Sequence, residues 1–124
     1  MEEKELKKLT IILCEYCHKA AEAFEKCKLA GQQEDFFSVV KPFADQVKEL
    51  AEKWEPAAVQ WCIENKPKHV HPIQIRNTAE NLQMVSVKAF FPDTSKKKFN
   101  SHIQSIDFIL NNVIKAIEAH IESK

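Results

Sequence analysis

The chain reads as an all-α protein, an antiparallel up-and-down four-helix bundle whose second helix is kinked at prolines. Three observations predict it. Apolar residues recur in alternating steps of three and four along four separate stretches, the signature of amphipathic helices. A single glycine in 124 residues disfavours a hairpin-rich β fold. The connectors between the four stretches are short, which favours antiparallel neighbours. The chain is long enough for one domain over residues 1–124 that buries a core without staples.

The densest stripe is Phe36, Val40, Phe43, Val47, Leu50, Trp54, Ala57 and Trp61. It places both tryptophans on one side of one helix, so the other three stripes must supply its partners. The first helix spans about 3–29, with Leu6, Leu9, Leu13, Tyr16, Ala20, Ala23 and Cys27 as its seam. Ile12 and Phe24 widen the face. Gly31 then offers the left-handed residue that ends a helix most cheaply. The second helix spans about 35–65, with Asp35 as N-cap. Pro42 and Pro56 lie inside it while the stripe stays in phase, which predicts a kinked helix; a turn followed by a fresh helix at Pro42 is the alternative.

The run Lys66 to His71 breaks the pattern, and Pro72 suits the first turn of a third helix over about 72–90, with His71 extended before it. Its stripe of Ile75, Thr78, Leu82, Val85 and Ala89 is the thinnest. The fourth helix spans about 96–122, with Phe99, Ile103, Ile106, Leu110, Val113 and Ile117 in line and His120 continuing the spacing. This topology puts the 66–72 connector at one end with Glu2, Glu3 and His120, and the connectors at Gly31 and Asp93 at the other. His120 is expected to be partly buried there.

Charge and motifs narrow the function. Eighteen basic residues balance eighteen acidic ones, so a duplex-binding protein is not expected. Glycine-rich phosphate loops are absent. The only clear apolar run near the N-terminus, Ile11 to Cys14, is too short for a signal core or a membrane span. A cytoplasmic protein is therefore expected, with Cys14, Cys17, Cys27 and Cys62 as free thiols.

Asp35-Phe36-Phe37, Lys41-Pro42, Lys53-Trp54, Pro67-Lys68-His69-Val70-His71, Gln74-Ile75 and Lys97-Lys98-Phe99 together resemble the pattern of the YppE-like family, small proteins of Bacillus-type bacteria. The resemblance covers roughly residues 35–99. The family pattern carries a tyrosine where this chain has His69. The resemblance implies a small cytosolic helical bundle of unassigned function, and brings no catalytic residue and no cofactor.

Four clusters carry candidate chemistry. Cys14-Glu15-Tyr16-Cys17-His18 has the C-x-x-C-H form of haem c attachment, but the motif is interior to a helix, beside Glu15, and off the core seam. The same position denies Cys14 and Cys17 the helix N-terminus or cations that activate a redox dithiol. Glu15 and His18 form one E-x-x-H step, where a di-iron bundle needs two. His69 and His71, with Cys62 nearby in sequence, leave a structural zinc site short of ligands.

Lys96, Lys97 and Lys98 open the fourth helix against its dipole, an arrangement that can hold an anion. Lys66, Lys68 and the loop histidines form a second basic cluster at the opposite end. Phe108 falls opposite Ile103 and Leu110, so Phe108, flanked by Ile109 and Ile114, is the candidate patch for a protein partner or a second copy of the chain. On balance the sequence favours a non-catalytic binding or adaptor protein with no cofactor and no identified small molecule. A thiol- or metal-dependent protein using Cys14 and Cys17 or His69 and His71 is the first alternative. Anion or nucleic-acid contact through Lys96 to Lys98 is the second.

Overall fold

Asp35 begins the helical backbone that carries both tryptophans. In a computed structural model describing residues 1–124, its carboxylate accepts from the Ser38 N–H at 2.8 Å and the Ser38 hydroxyl at 2.7 Å, the bonds of an N-cap. One π-helical turn, Phe36–Val40, then leads directly into α2, Lys41–Asn65. Before them runs α1, Glu3–Ala30; after them come α3, Pro72–Lys88, and α4, Lys96–Glu122.

The two prolines of the second stretch differ in their setting. Pro42 lies in the first turn of α2; without an N–H it cannot bond back into the preceding π turn as the Lys41 N–H does to the Phe36 carbonyl. Pro56 lies inside α2, which continues to Asn65. Its missing N–H leaves the Glu52 carbonyl without an intrahelical donor. Gly31 closes α1 in the left-handed region at φ 66°, its N–H bonding the Cys27 carbonyl at 2.9 Å. α3 stops at Lys88, two residues before the expected Phe90, because the chain must turn before Pro92.

Cross-helix pairs establish the directions. Along α1 and α4, Glu3 meets His120, Lys7 meets Glu118, His18 meets Asp107 and Glu25 meets Lys96. Positions rise in one helix as they fall in the other, so the two are antiparallel. Thr10 with Trp54 and Tyr16 with Gln46 give the same sense for α1 and α2. The most extensive packing is α2 on α3 and α1 on α4, with α3 on α4 and α1 on α2 completing a ring. This is the up-down-up-down bundle that the stripes predict. No helix is long and apolar enough to cross a membrane.

The four stripes merge into one continuous core. Phe24 stacks on Phe99 with ring centroids 4.1 Å apart. Trp54 is fully buried. Its indole N–H donates to the Thr10 hydroxyl at 3.0 Å, and that hydroxyl donates to the Leu6 carbonyl at 2.7 Å. Thr10 thus gives an interior indole its partner, which a buried N–H requires.

Candidate functional site

The end of the bundle holding the 66–71 connector carries the most developed polar constellation. Its geometry starts with the last two turns of α2. Asn65 donates from its side-chain amide to the Trp61 carbonyl at 3.0 Å. Lys66 then takes a left-handed conformation, φ 48°, with its N–H on the Cys62 carbonyl at 2.9 Å. A side chain in this region costs of order 1 kcal/mol relative to glycine, but Pro67 already disfavours a further helical residue at Lys66. Val70 is buried and anchors the connector. His71 is extended, and its N–H donates to Gln74 Oε1 at 2.8 Å, so α3 starts with one of its end donors satisfied.

The fixed connector faces the last turns of α4 across a cleft of about 340 Å³. Trp61, Pro67 and Val70 supply apolar wall on one side, with Ala116 and Ala119 on the other. The cleft exists because α4 offers only methyl groups at these two positions. Around it stand Lys68, His69, Lys115 and His120, with the Asn65 and Asn112 amides.

Behind the cleft, Glu3 ties both ends of the chain to Trp61. Its Oε2 accepts from the Trp61 indole N–H at 3.3 Å and lies 2.6 Å from His120 Nδ1. Its Oε1 pairs with the Lys124 ammonium. The Lys124 ammonium lowers the Glu3 carboxyl most; burial opposes it, and the His120 and Trp61 bonds lower it further, so that it is held at about 2, below its ordinary 4.5. The His120 ring stands edge-on to Trp61, with centroids 5.9 Å apart. His120 is half-buried, as its place on the stripe predicts.

Cys14 and Cys17 belong to the core and not to a flank. α4 packs over that side of α1, with the Cys17 thiol 3.9 Å from the Ile103 carbonyl, so the buried face of α1 is wider than its seam. Burial pushes the Cys14 thiol up to about 11 and the Cys17 thiol up to about 12, and the Asp107 carboxylate adds to both shifts. Burial likewise lifts Cys62 to about 11 and raises Cys27. All four are free thiols, and such pKa values leave little thiolate for chemistry. His18 is exposed and pairs with Asp107 at 3.1 Å.

His69 lies at the cleft, but His71 and Cys62 are not among its lining residues. No three His, Cys, Asp or Glu side chains converge as a metal site would require. At the other end of the bundle, Lys96, Lys97 and Lys98 are exposed at the start of α4. Ser95 caps that helix, accepting from the Lys98 N–H at 3.3 Å. Lys96 leans toward Glu25 at 4.0 Å. Lys98 joins Lys88 and His102 along a larger cleft of about 560 Å³, which they share with Asp93. The proposed apolar patch does not assemble. Phe108 is 64% exposed, but Ile109 is only 7% exposed and Ile114 packs partly against the core. α4 contacts both α1 and α3, so its buried face extends to Ile109.

Residues 10–117 match the family described as a bacterial domain of unknown function, DUF1798. The uncharacterised protein YppE of Bacillus subtilis (strain 168) is 27% identical over 108 residues, covering 87% of this chain and 88% of that one. The crystal structure of B. subtilis YppE aligns over 100% of both chains with a TM-score of 0.92 and 27% identity. A protein of unknown function from Listeria innocua gives a TM-score of 0.91 at 28% identity, over 97% of this chain and 96% of that one. A Staphylococcus aureus protein of the DUF1798 family shares the fold, with a TM-score of 0.87 at 20% identity over 94% of this chain and 99% of that one. The resemblance carried by the motifs between Asp35 and Phe99 therefore extends over most of the sequence.

Proposed function

The chain belongs to the DUF1798 family of bacterial proteins, and from that premise we propose a non-catalytic cytoplasmic binding protein whose site is the cleft beside Trp61. The observation that carries this reading is the cleft itself. An indole, a buried valine and two alanines form its apolar lining, and convergent polar groups surround it, the composition of a small-ligand site. The connector that walls it is held at Lys66, Val70 and His71, so the site is largely preformed. None of the four thiols is among its lining residues, which supports binding over thiol chemistry. Four unpaired thiols also suit a reducing compartment.

The test is an NMR titration with a set of small uncharged and charged fragments, following the Trp61 indole N–H and the Val70, Ala116 and Ala119 signals. Binding at the cleft moves these signals together, and Ala119→Leu, which narrows the cleft at an exposed helical position, abolishes the response. Fragment-induced shifts confined to Phe36, Phe37 or Phe108, or shifts at Trp61 that persist in Ala119→Leu, contradict the reading.

A second reading is protein docking through the π turn. Phe36 and Phe37 are packed edge to face at 5.2 Å, and Phe37 is 77% exposed. π turns recur at functional sites. Sedimentation of the wild type against Phe37→Ser tests for self-association there. Identical monomeric profiles over the full concentration range remove a second copy of the chain as the occupant.

A further inference from the structure

We propose that the cleft beside Trp61 recognises a small molecule that carries one anionic group on a compact apolar body. The inference rests on the proposed binding role of that cleft and adds the chemical class of its ligand.

The charge of the lining points to it. The whole chain is balanced, with eighteen basic and eighteen acidic residues. Lys7, Lys41, Lys48, Lys53 and Lys96 each pair with a carboxylate. The cleft lining does not share that balance. Its ionisable lining residues are Lys68, His69, Lys115 and His120, with no aspartate or glutamate among them. Neither Lys68 nor Lys115 is in any ion pair of the structure.

The one nearby acid is already engaged. Both Glu3 oxygens are taken up by Lys124, His120 Nδ1 and the Trp61 indole. That bond also fixes His120, leaving Nε2 as the ring nitrogen without a partner in the protein. The two unpaired ammonium groups and the two asparagine amides therefore offer donors and positive charge to an anion, as charge-assisted recognition requires. The apolar wall of Trp61, Val70 and Ala116 suits the body that carries it. A volume of about 340 Å³ lies at the small end of ligand pockets, which run from ~300 to 1,000 Å³. That size admits a bicyclic or short aliphatic body.

A carboxylate and a phosphate share this chemistry, and three probes built on one naphthyl body separate them: 2-naphthoate, 2-naphthyl phosphate and the neutral 2-naphthamide. Each is titrated into the full chain, followed at the Trp61 indole N–H by NMR and by calorimetry. At least one anion is expected to bind about tenfold or more tightly than the amide. Lys115→Glu and Lys68→Glu are each expected to remove most of that preference while the circular dichroism and thermal midpoint stay at wild-type values. Both residues are exposed, so two independent folded variants are expected. The stronger of naphthoate and naphthyl phosphate identifies the anionic group. Equal binding of all three probes at Trp61 overturns the anionic class and leaves the binding cleft standing. A preference that survives both charge reversals likewise overturns the assignment of the anion to this rim. No response at Trp61 to any probe overturns the inference, and the uncharged fragments of the broader titration then decide the fate of the cleft itself.

Discussion

Trp54 and Trp61 lie one heptad apart on the same stripe of the same helix, and both are buried, but their surroundings differ. Trp54 is sealed in the middle of the bundle, and its indole N–H is satisfied by a neutral hydroxyl, that of Thr10. Trp61 is near the end, where its N–H meets the ionised Glu3 and its ring forms part of a cleft wall. The middle is closed because all four helices contribute apolar side chains there. The end is open because α4 offers Ala116 and Ala119 opposite Trp61, and because a connector crosses there instead of a helix. One residue type at one helical phase therefore serves packing in the first position and recognition in the second.

The largest effect that separates the two regions is truncation in the sealed one. Trp54→Ala is expected to cost ~3–5 kcal/mol in chemical denaturation. An unchanged denaturation midpoint would place Trp54 outside the core. Thr10→Val sharpens the same point at smaller scale. It keeps the volume but strands the Trp54 N–H, for an expected cost of ~1–3 kcal/mol. In the Trp54→Phe background the same change should cost much less, because no indole N–H remains to be stranded.

At the open end the effects are electrostatic and weaker. Glu3 has a folded pKa of about 2 against an ordinary 4.5. A depressed carboxyl pKa contributes stability that is fully present above the unfolded value and lost as pH falls through the folded one. Glu3→Gln should therefore cost only ~0.2–1 kcal/mol at neutral pH, because the Lys124 arm of the network is solvent-exposed. Between pH 4.5 and 2 its stability should converge on that of the wild type. A wild-type minus variant difference that grows on acidification would show that Glu3 is not held in its ionised form. The buried thiols provide a check on the closed region: Cys14 and Cys17 should react with a thiol-specific disulfide reagent only as fast as the bundle opens. Rapid labelling of either one in the folded protein would contradict the burial that raises both pKa values.

Much of this division could be read from residue spacing. The alternating steps gave four helices in register, Gly31 marked an end, and α4 spans the expected range. The connector cluster was also legible in part, since Lys68, His69, His120 and Glu3 share an end once the topology is known. The π turn was not. The Phe36 to Val40 step fits an α-helical stripe equally well, and Phe36 is half-exposed because it precedes the helix that packs. The burial of Cys14, Cys17 and Ile109 escaped detection for one reason. Each helix touches at least two others, so its buried arc is wider than a single seam. The cleft itself depends on what is missing, the small side chains at Ala116 and Ala119. Large apolar residues mark the stripes, and alanines at such positions leave no comparable signal.

The most direct test of the contrast is native-state hydrogen exchange of the two indole N–H groups, followed by NMR as a function of denaturant. The Trp54 N–H should exchange only through global unfolding, with a protection free energy equal to the stability of the bundle. The Trp61 N–H should exchange through local opening of the Glu3 network, faster and with little denaturant dependence. Equal protection and equal denaturant dependence at both indoles would contradict the division between a sealed middle and an accessible end.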